Sequence, residues 1–191
     1  MNNYIILLAS KSPRRQELMQ LLDLKFEIPD PIEVEETYPL TLPPEKVPEY
    51  LSQKKAAAYL SSLKEDEILV TADTVVILES EILGKPHSEN EAKEMLRKLS
   101  GNTHKVVTGV TISSLSGQKS FSAVTEVDFD TLSSEDIDHY VEKYHPLDKA
   151  GAYGIQEWIG AVGIKGIRGS FYNVMGLPVH RLYHELRTFI D

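Results

Sequence analysis

Tyr4-Ile5-Ile6-Leu7-Leu8-Ala9-Ser10-Lys11-Ser12-Pro13-Arg14-Arg15-Gln16-Glu17-Leu18 is the stretch on which the reading of the fold turns. Residues 4–9 form an unbroken apolar run, the pattern of a strand covered on both faces. Ser12-Pro13 then opens a helix: Ser12 suits the N-cap, and proline suits the first helical position, where its missing N–H costs nothing. Leu18, Leu21 and Leu22 give that helix an apolar stripe. A buried strand that passes through a short turn into a helix is a unit of mixed α/β architecture. It also leaves unpaired backbone N–H groups at the helix start, a natural seat for an anion.

Outward from this unit, strands and helices continue to mix. Residues 29–48, rich in proline and glutamate, read as a surface excursion. Residues 48–60 read as a helix with Tyr50, Leu51, Ala57 and Leu60 available for packing. Residues 68–78 are a second apolar strand, interrupted by Thr71, Asp73 and Thr74. After a Gly84-Lys85-Pro86 turn, residues 88–99 form a helix with Ser88 and Glu91 in capping-box spacing. Residues 105–113 and 119–129 alternate as strands joined by a hairpin turn at Ser116-Gly117. A helix over 133–144 is capped by Ser133 or Ser134, residues 151–169 are glycine-rich with short apolar pieces, and a closing helix runs over 177–190. No repeat or low-complexity tract breaks the pattern, so an α/β or α+β fold in one domain over residues 1–191 is expected.

Composition narrows the function. The chain carries 29 Asp and Glu against 20 Lys and Arg, a balance that disfavours nucleic acid as a partner because phosphate neutralisation needs clustered positive charge. There is no cysteine, which removes disulfides, thiolate nucleophiles and sulfur-bound metals. The apolar run near the N-terminus is too short for a membrane span and has no basic flank before it, so a cytoplasmic protein is expected, with no membrane partner.

Four groups of residues could carry chemistry. In the first, Ser10, Lys11, Ser12, Arg14 and Arg15 gather hydroxyls and cations at a helix start. Cations there oppose the helix macrodipole at roughly 0.3–1 kcal/mol each, and arginine's planar fork matches phosphate oxygens. The second is Asp73, a carboxylate inside an apolar strand, expensive to bury unless paired or metal-bound. The alternative for Asp73 is a strand-end acid satisfied by nearby backbone donors. The third is Lys85, held in a rigid turn close after Asp73; Glu36 and Lys55 are candidates only in context. The fourth runs from Asp148 to Gln156, where Lys149 brings a cation and Gln156 an amide able to pair with a base edge. His180 and His184 have helical spacing but no glutamate at the zincin position, so they read as an exposed helix face.

Taken together in this order, Leu8-Ala9-Ser10-Lys11-Ser12-Pro13-Arg14-Arg15-Gln16-Glu17-Leu18, Ala72-Asp73-Thr74, Gly84-Lys85-Pro86, Leu99-Ser100-Gly101, the stretch from Asp148 to Gln156 and Asn173-Val174-Met175-Gly176-Leu177-Pro178 resemble the Maf family of nucleotide pyrophosphatases. The resemblance spans essentially the whole chain. It implies an elongated α/β fold like that of the inosine triphosphate pyrophosphatases, with a mixed sheet, two lobes around a central cleft, and often a homodimer. The implied reaction cleaves a nucleoside triphosphate between the α and β phosphates with a divalent cation, Mg2+ or Mn2+. Asp73 falls on the position of the proton acceptor, with Asp73 and Glu36 as metal ligands. Ser10, Arg14, Arg15, Lys55, Thr74, Lys85, Lys149 and Gln156 fall on substrate positions. Arg14, Thr74 and Gln156 together resemble the dTTP/UTP-cleaving subgroup; the alternatives are a 7-methyl-GTP pyrophosphatase and a non-enzymatic nucleotide-binding regulator of septum formation. The chain departs from the family pattern at Glu157-Trp158, where many relatives carry glycine.

Overall fold

The computed structural model describes residues 4–190, so residues 1–3 and 191 of the expected single domain lie outside it. In chain order the elements are β1 (Ile5–Leu8), α1 (Pro13–Gln20), β2 (Phe26–Glu27), α2 (Val47–Tyr59), β3 (Glu67–Leu78), β4 (Glu81–Leu83) and α3 (Glu89–Leu99). Then follow β5 (Thr103–Ser114), β6 (Gly117–Phe129), α4 (Ser134–Tyr144), α5 (Trp158–Gly163), β7 (Ile164–Arg168), α6 (Phe171–Met175) and α7 (Val179–Ile190). One seven-stranded sheet runs in the order β2-β1-β3-β5-β6-β7, with β4 paired to β3. The β1–β2 and β1–β3 pairs are parallel, whereas β3–β4 and β6–β7 are antiparallel. The expectation of an α/β fold with a mixed sheet is borne out.

The chain divides into two compact units. One holds Asp73 and the chain before it, Thr108–Ala123 and the chain from Gly176 onward; the other holds Thr74–Val107 and Val124–Met175. In the first unit, Leu7, Ala56, Tyr59, Leu63 and Leu69 form a core beneath β1 and β3. α2 can lie close on β5 because residue 109 is glycine: a Cβ there would stand 2.2 Å from the backbone nitrogen of Glu49. In the second unit, α3 buries Ala92, Met95, Leu96 and Leu99, the i, i+3, i+4, i+7 stripe of an amphipathic helix. Ile137, Tyr140 and Val141 of α4 share that core with Phe129, Tyr153 and Ile155.

Several local readings are corrected. Ser12 is the N-cap of α1 but its side chain makes no capping bond; its backbone N–H donates to Ser10 Oγ at 3.2 Å instead. The helix buries Leu18 and Met19, while Leu21 lies beyond its end and is 59% exposed. On α2, Leu51 packs as expected, but Tyr50, Ala57 and Leu60 are exposed and Ser52, Ala56 and Tyr59 are buried. The helix is turned by Ser52, whose hydroxyl and carbonyl are both engaged from the sheet. Ser88 does accept from the Glu91 N–H, yet the Glu91 carboxylate reaches one residue further back, to the N–H of His87. Within 151–169 the sequence reading missed α5 and β7.

Candidate active site

Two hydrogen bonds fix the register of α2 on the sheet. Thr71 Oγ1 donates to Ser52 O at 2.7 Å, and Ser52 Oγ pairs with Thr111 Oγ1 at 2.7 Å, all buried. Two residues along a strand return to the same face, which takes Thr71 to Asp73; three residues along a helix return to the same side, which takes Ser52 to Lys55. The Lys55 ammonium accordingly meets Asp73 Oδ1 at 2.6 Å. It also meets Glu36 Oε1 at 2.8 Å. Glu36 comes from the irregular segment before α2, which is strapped to that helix: Tyr59 Oη accepts the Ile32 N–H, and Lys54 Nζ donates to Thr37 Oγ1 and O. Asp73 is 7% exposed, as a residue singled out by its burial in an apolar strand should be.

Asp73 lies in a stretch of β3 that pairs with neither β1, which takes Glu67 to Val70, nor β4, which takes Val76 to Leu78. Arg15 uses that gap. Its Nη1 donates to Ala72 O at 2.9 Å and its Nε to Gly176 O at 2.8 Å. The guanidinium so joins α1, β3 and the chain before α7, and stands beside Asp73. Ser10 supports the start of α1 from both ends, its Oγ accepting the Ser12 N–H and its carbonyl accepting from Gln16 Nε2 at 3.1 Å. Arg14 is half-buried next to Arg15. Ser10, Arg14, Arg15, Glu36, Lys55 and Asp73 thus belong to one compact unit.

Burial pushes the Asp73 carboxyl above the ordinary aspartate range, against the pull of Lys55 and Arg15. Burial likewise lowers the Arg15 guanidinium, with Asp73 acting to raise it and Arg14 to lower it. A buried acid coupled to cations is the type of group that serves as a proton acceptor. The two carboxylates that share Lys55 offer oxygen donors only, which suits a hard cation such as Mg2+ or Mn2+. Among the described residues no group of three or more acids or histidines that could hold a metal ion is present.

The other predicted residues lie in the second unit. Thr74 follows Asp73 along β3 and is half-buried. Lys85 is exposed in its turn, which is tied to the glycine-rich loop by the Gly151 N–H donating to Gly84 O at 3.0 Å. Gln156 is exposed. Lys149, expected to meet substrate, is 8% exposed and lies 2.8 Å from Asp148 Oδ1 and 3.1 Å from Glu157 Oε1. Ala152 holds a left-handed φ of 59°, a strain of about 1–2 kcal/mol for a non-glycine residue. Tyr153 is braced by His104, whose Nε2 lies 2.7 Å from the Tyr153 hydroxyl, and by Phe129, 5.0 Å away ring to ring. Burial drives His104 down to about 4. Sequence reasoning missed Glu157, Tyr140 and His104 as members of this loop's framework. His180 and His184 are exposed on α7, as expected.

Fold and site define a class: an α/β protein that sets a buried acid among cations, chemistry suited to phosphate anhydrides. The chain belongs to the Maf family, whose sequence model, described as Maf-like protein, matches residues 5–189. It is 54% identical over 187 residues to the dTTP/UTP pyrophosphatase of Phocaeicola vulgatus, covering 98% of this chain and 97% of that protein. It is also 54% identical over 191 residues to the dTTP/UTP pyrophosphatase of Porphyromonas gingivalis strain ATCC 33277, covering 99% and 96%. Its fold is similar to that of a HAM1 protein from Coxiella burnetii, with a TM-score of 0.50 at 16% identity over 97% of this chain and 99% of that one. No helix among the described residues is long and apolar enough to cross a membrane.

Proposed function

We propose that this chain hydrolyses dTTP and UTP to the monophosphate and pyrophosphate, with Asp73 as the proton acceptor. The observation that carries this reading is the Asp73–Lys55 contact of 2.6 Å inside a buried strand, with Arg15 alongside. The relatives named dTTP/UTP pyrophosphatase, matched over nearly their whole length, support the substrate.

In this mechanism Asp73 takes a proton from a water as its oxygen attacks the α phosphorus. The bond from that phosphorus to the oxygen bridging the β phosphate breaks, and pyrophosphate leaves. Phosphoryl transfer asks the protein for charge neutralisation and alignment rather than covalent chemistry. Arg14, Arg15 and Lys55 supply that charge, Ser10 holds the first turn of α1 in place, and Lys85 is assigned to substrate by the family resemblance. Asp73 and Glu36 would hold a divalent cation, which supplies further neutralisation of phosphate charge when bound. Arg14, Thr74 and Gln156 are assigned to the choice of base by their match to the dTTP/UTP-cleaving pattern. Free nucleoside triphosphates are cytoplasmic, so a cytoplasmic site of action belongs to the same proposal.

The test is product analysis on purified protein with dTTP, UTP, CTP, ATP, GTP and 7-methyl-GTP in the presence of Mg2+ or Mn2+. Monophosphate and pyrophosphate from dTTP and UTP above the others is the expected result. Diphosphate and inorganic phosphate would overturn the bond assignment, and preference for 7-methyl-GTP would overturn the base assignment. Tight nucleotide binding without turnover would favour a regulator.

A further inference from the structure

The loop that carries Gln156 is closed by a side-chain network that the mechanism above does not use, and Glu157 is its node. Glu157 Oε1 meets Lys149 Nζ at 3.1 Å, and Oε2 accepts the Tyr140 hydroxyl proton. The Tyr140 oxygen accepts the Gly154 N–H at 3.0 Å, and the Glu157 N–H donates to Gly154 O at 3.0 Å. One carboxylate therefore gathers the start, middle and end of the loop. The fit is close: a Cβ on Gly154 would stand 2.9 Å from Glu157 Cδ and 3.1 Å from Lys149 Cε.

Burial makes this clasp strong. The Lys149 side chain is 9% exposed and that of Glu157 20%, so their attraction is only weakly screened. Burial and the neighbouring carboxylate raise the Tyr140 hydroxyl, which keeps it a donor. Asp148, the second partner of Lys149, is 59% exposed and adjacent in the chain, so it cannot close the loop. Residues 151–155 are buried, and Gln156, the next residue, is exposed. The clasp ends at the very residue that follows.

We propose that Glu157 is a positioning residue for base selection: by clasping Lys149 and Tyr140 it fixes the loop that presents the Gln156 amide to a pyrimidine base. The inference rests on the substrate reading given above. A uracil or thymine edge offers an N–H donor beside a carbonyl acceptor, which one amide can match. The cytosine edge reverses the pattern, so a loosened amide discriminates less between them.

The experiment compares Glu157→Gln, Glu157→Asp, Gln156→Ala and the Gln156→Ala/Glu157→Gln double variant. For Glu157→Gln, kcat/KM on UTP falls about tenfold, more through KM than kcat, and the preference for UTP over CTP shrinks; Glu157→Asp restores part of it. The double variant is no less selective than Gln156→Ala alone, the non-additivity expected if Glu157 acts through Gln156. Amide hydrogen exchange at Gly154 and Gln156 quickens in Glu157→Gln. Faster exchange with unchanged selectivity would leave the clasp purely structural and overturn the proposal, as would additive losses in the double variant or no change in either readout. A wild-type protein that turns over no triphosphate would sink the substrate reading, while exchange and the relative binding of UMP and CMP to wild type and Glu157→Gln would still decide the role of the clasp.

Discussion

The Lys55 ammonium stands 2.6 Å from Asp73 Oδ1, and the carboxyl is nonetheless harder to ionise than one in water. Desolvation outweighs the ion pair, which is the usual balance when charges leave water. The pair exists because Thr71 and Ser52 lock β3 to α2 two and three residues earlier.

Removing the cation should move the acid further. In Lys55→Met, Asp73 loses an opposite charge, so its pKa rises further and the acid limb of the kcat/KM profile moves to higher pH. A pH–rate profile on UTP checks this, and an unmoved acid limb would show that Asp73 is not the titrating group.

Arg15→Lys should destabilise the fold. Lysine cannot reproduce the fork that reaches both Ala72 O and Gly176 O, and bonds from charged donors contribute about 1.5–3 kcal/mol each. A loss of about 2–3 kcal/mol in urea unfolding is expected, together with reduced turnover. Wild-type stability would mean that the strut carries little.

Gly109→Ala should be severe. Its Cβ would stand 2.2 Å from Glu49 N and 2.3 Å from Pro48 C, backbone atoms that cannot rotate away. Overpacking against backbone costs about 3 kcal/mol or more, and the displaced α2 would carry Lys55 with it. Thermal unfolding and activity on UTP should fall together.

Acid should weaken the protein through His104. Its folded pKa, about 4, lies below the ordinary 6.5, so the unfolded chain binds the proton first. Stability is full above 6.5, declines as pH falls towards 4, and the decline levels off below that. The loss approaches about 3 kcal/mol at 1.36 kcal/mol per unit. Its ring nitrogen Nδ1 has no hydrogen-bond partner among the described residues, and the pull of Asp128 offsets only part of the burial. Chemical denaturation from pH 7 to 4 should show a shallower decline in His104→Gln than in wild type.

What the sequence made legible were local conflicts and local signals. Asp73 stood out because a carboxylate in an apolar run breaks the rule of burial, and Ser88 and Pro13 marked helix starts by rules that need only neighbouring residues. The local pattern gave no reason to prefer Lys55 to its neighbour Lys54, and only the family resemblance chose it, because which of the two reaches Asp73 depends on how Ser52 seats α2 against Thr71 and Thr111. The same rotation exposed Ala57 and buried Ala56. α5 and β7 escaped because their glycines, Gly160, Gly163 and Gly166, blur both periodicities. Glu157 showed only as a departure from the family pattern; its clasp on Lys149, eight positions back in the sequence, forms only once the loop has closed.

The central claim is that Asp73 accepts the proton of the attacking water, and pyrophosphate release from dTTP and UTP by Asp73→Asn measures it most directly. Asparagine keeps the shape of the side chain but takes the negative charge away from Lys55 and Arg15, so the melting temperature is read beside the rate to establish that the variant is folded. The account predicts a folded variant slowed by about 10²–10⁴-fold. A folded variant that releases pyrophosphate at the wild-type rate would contradict it.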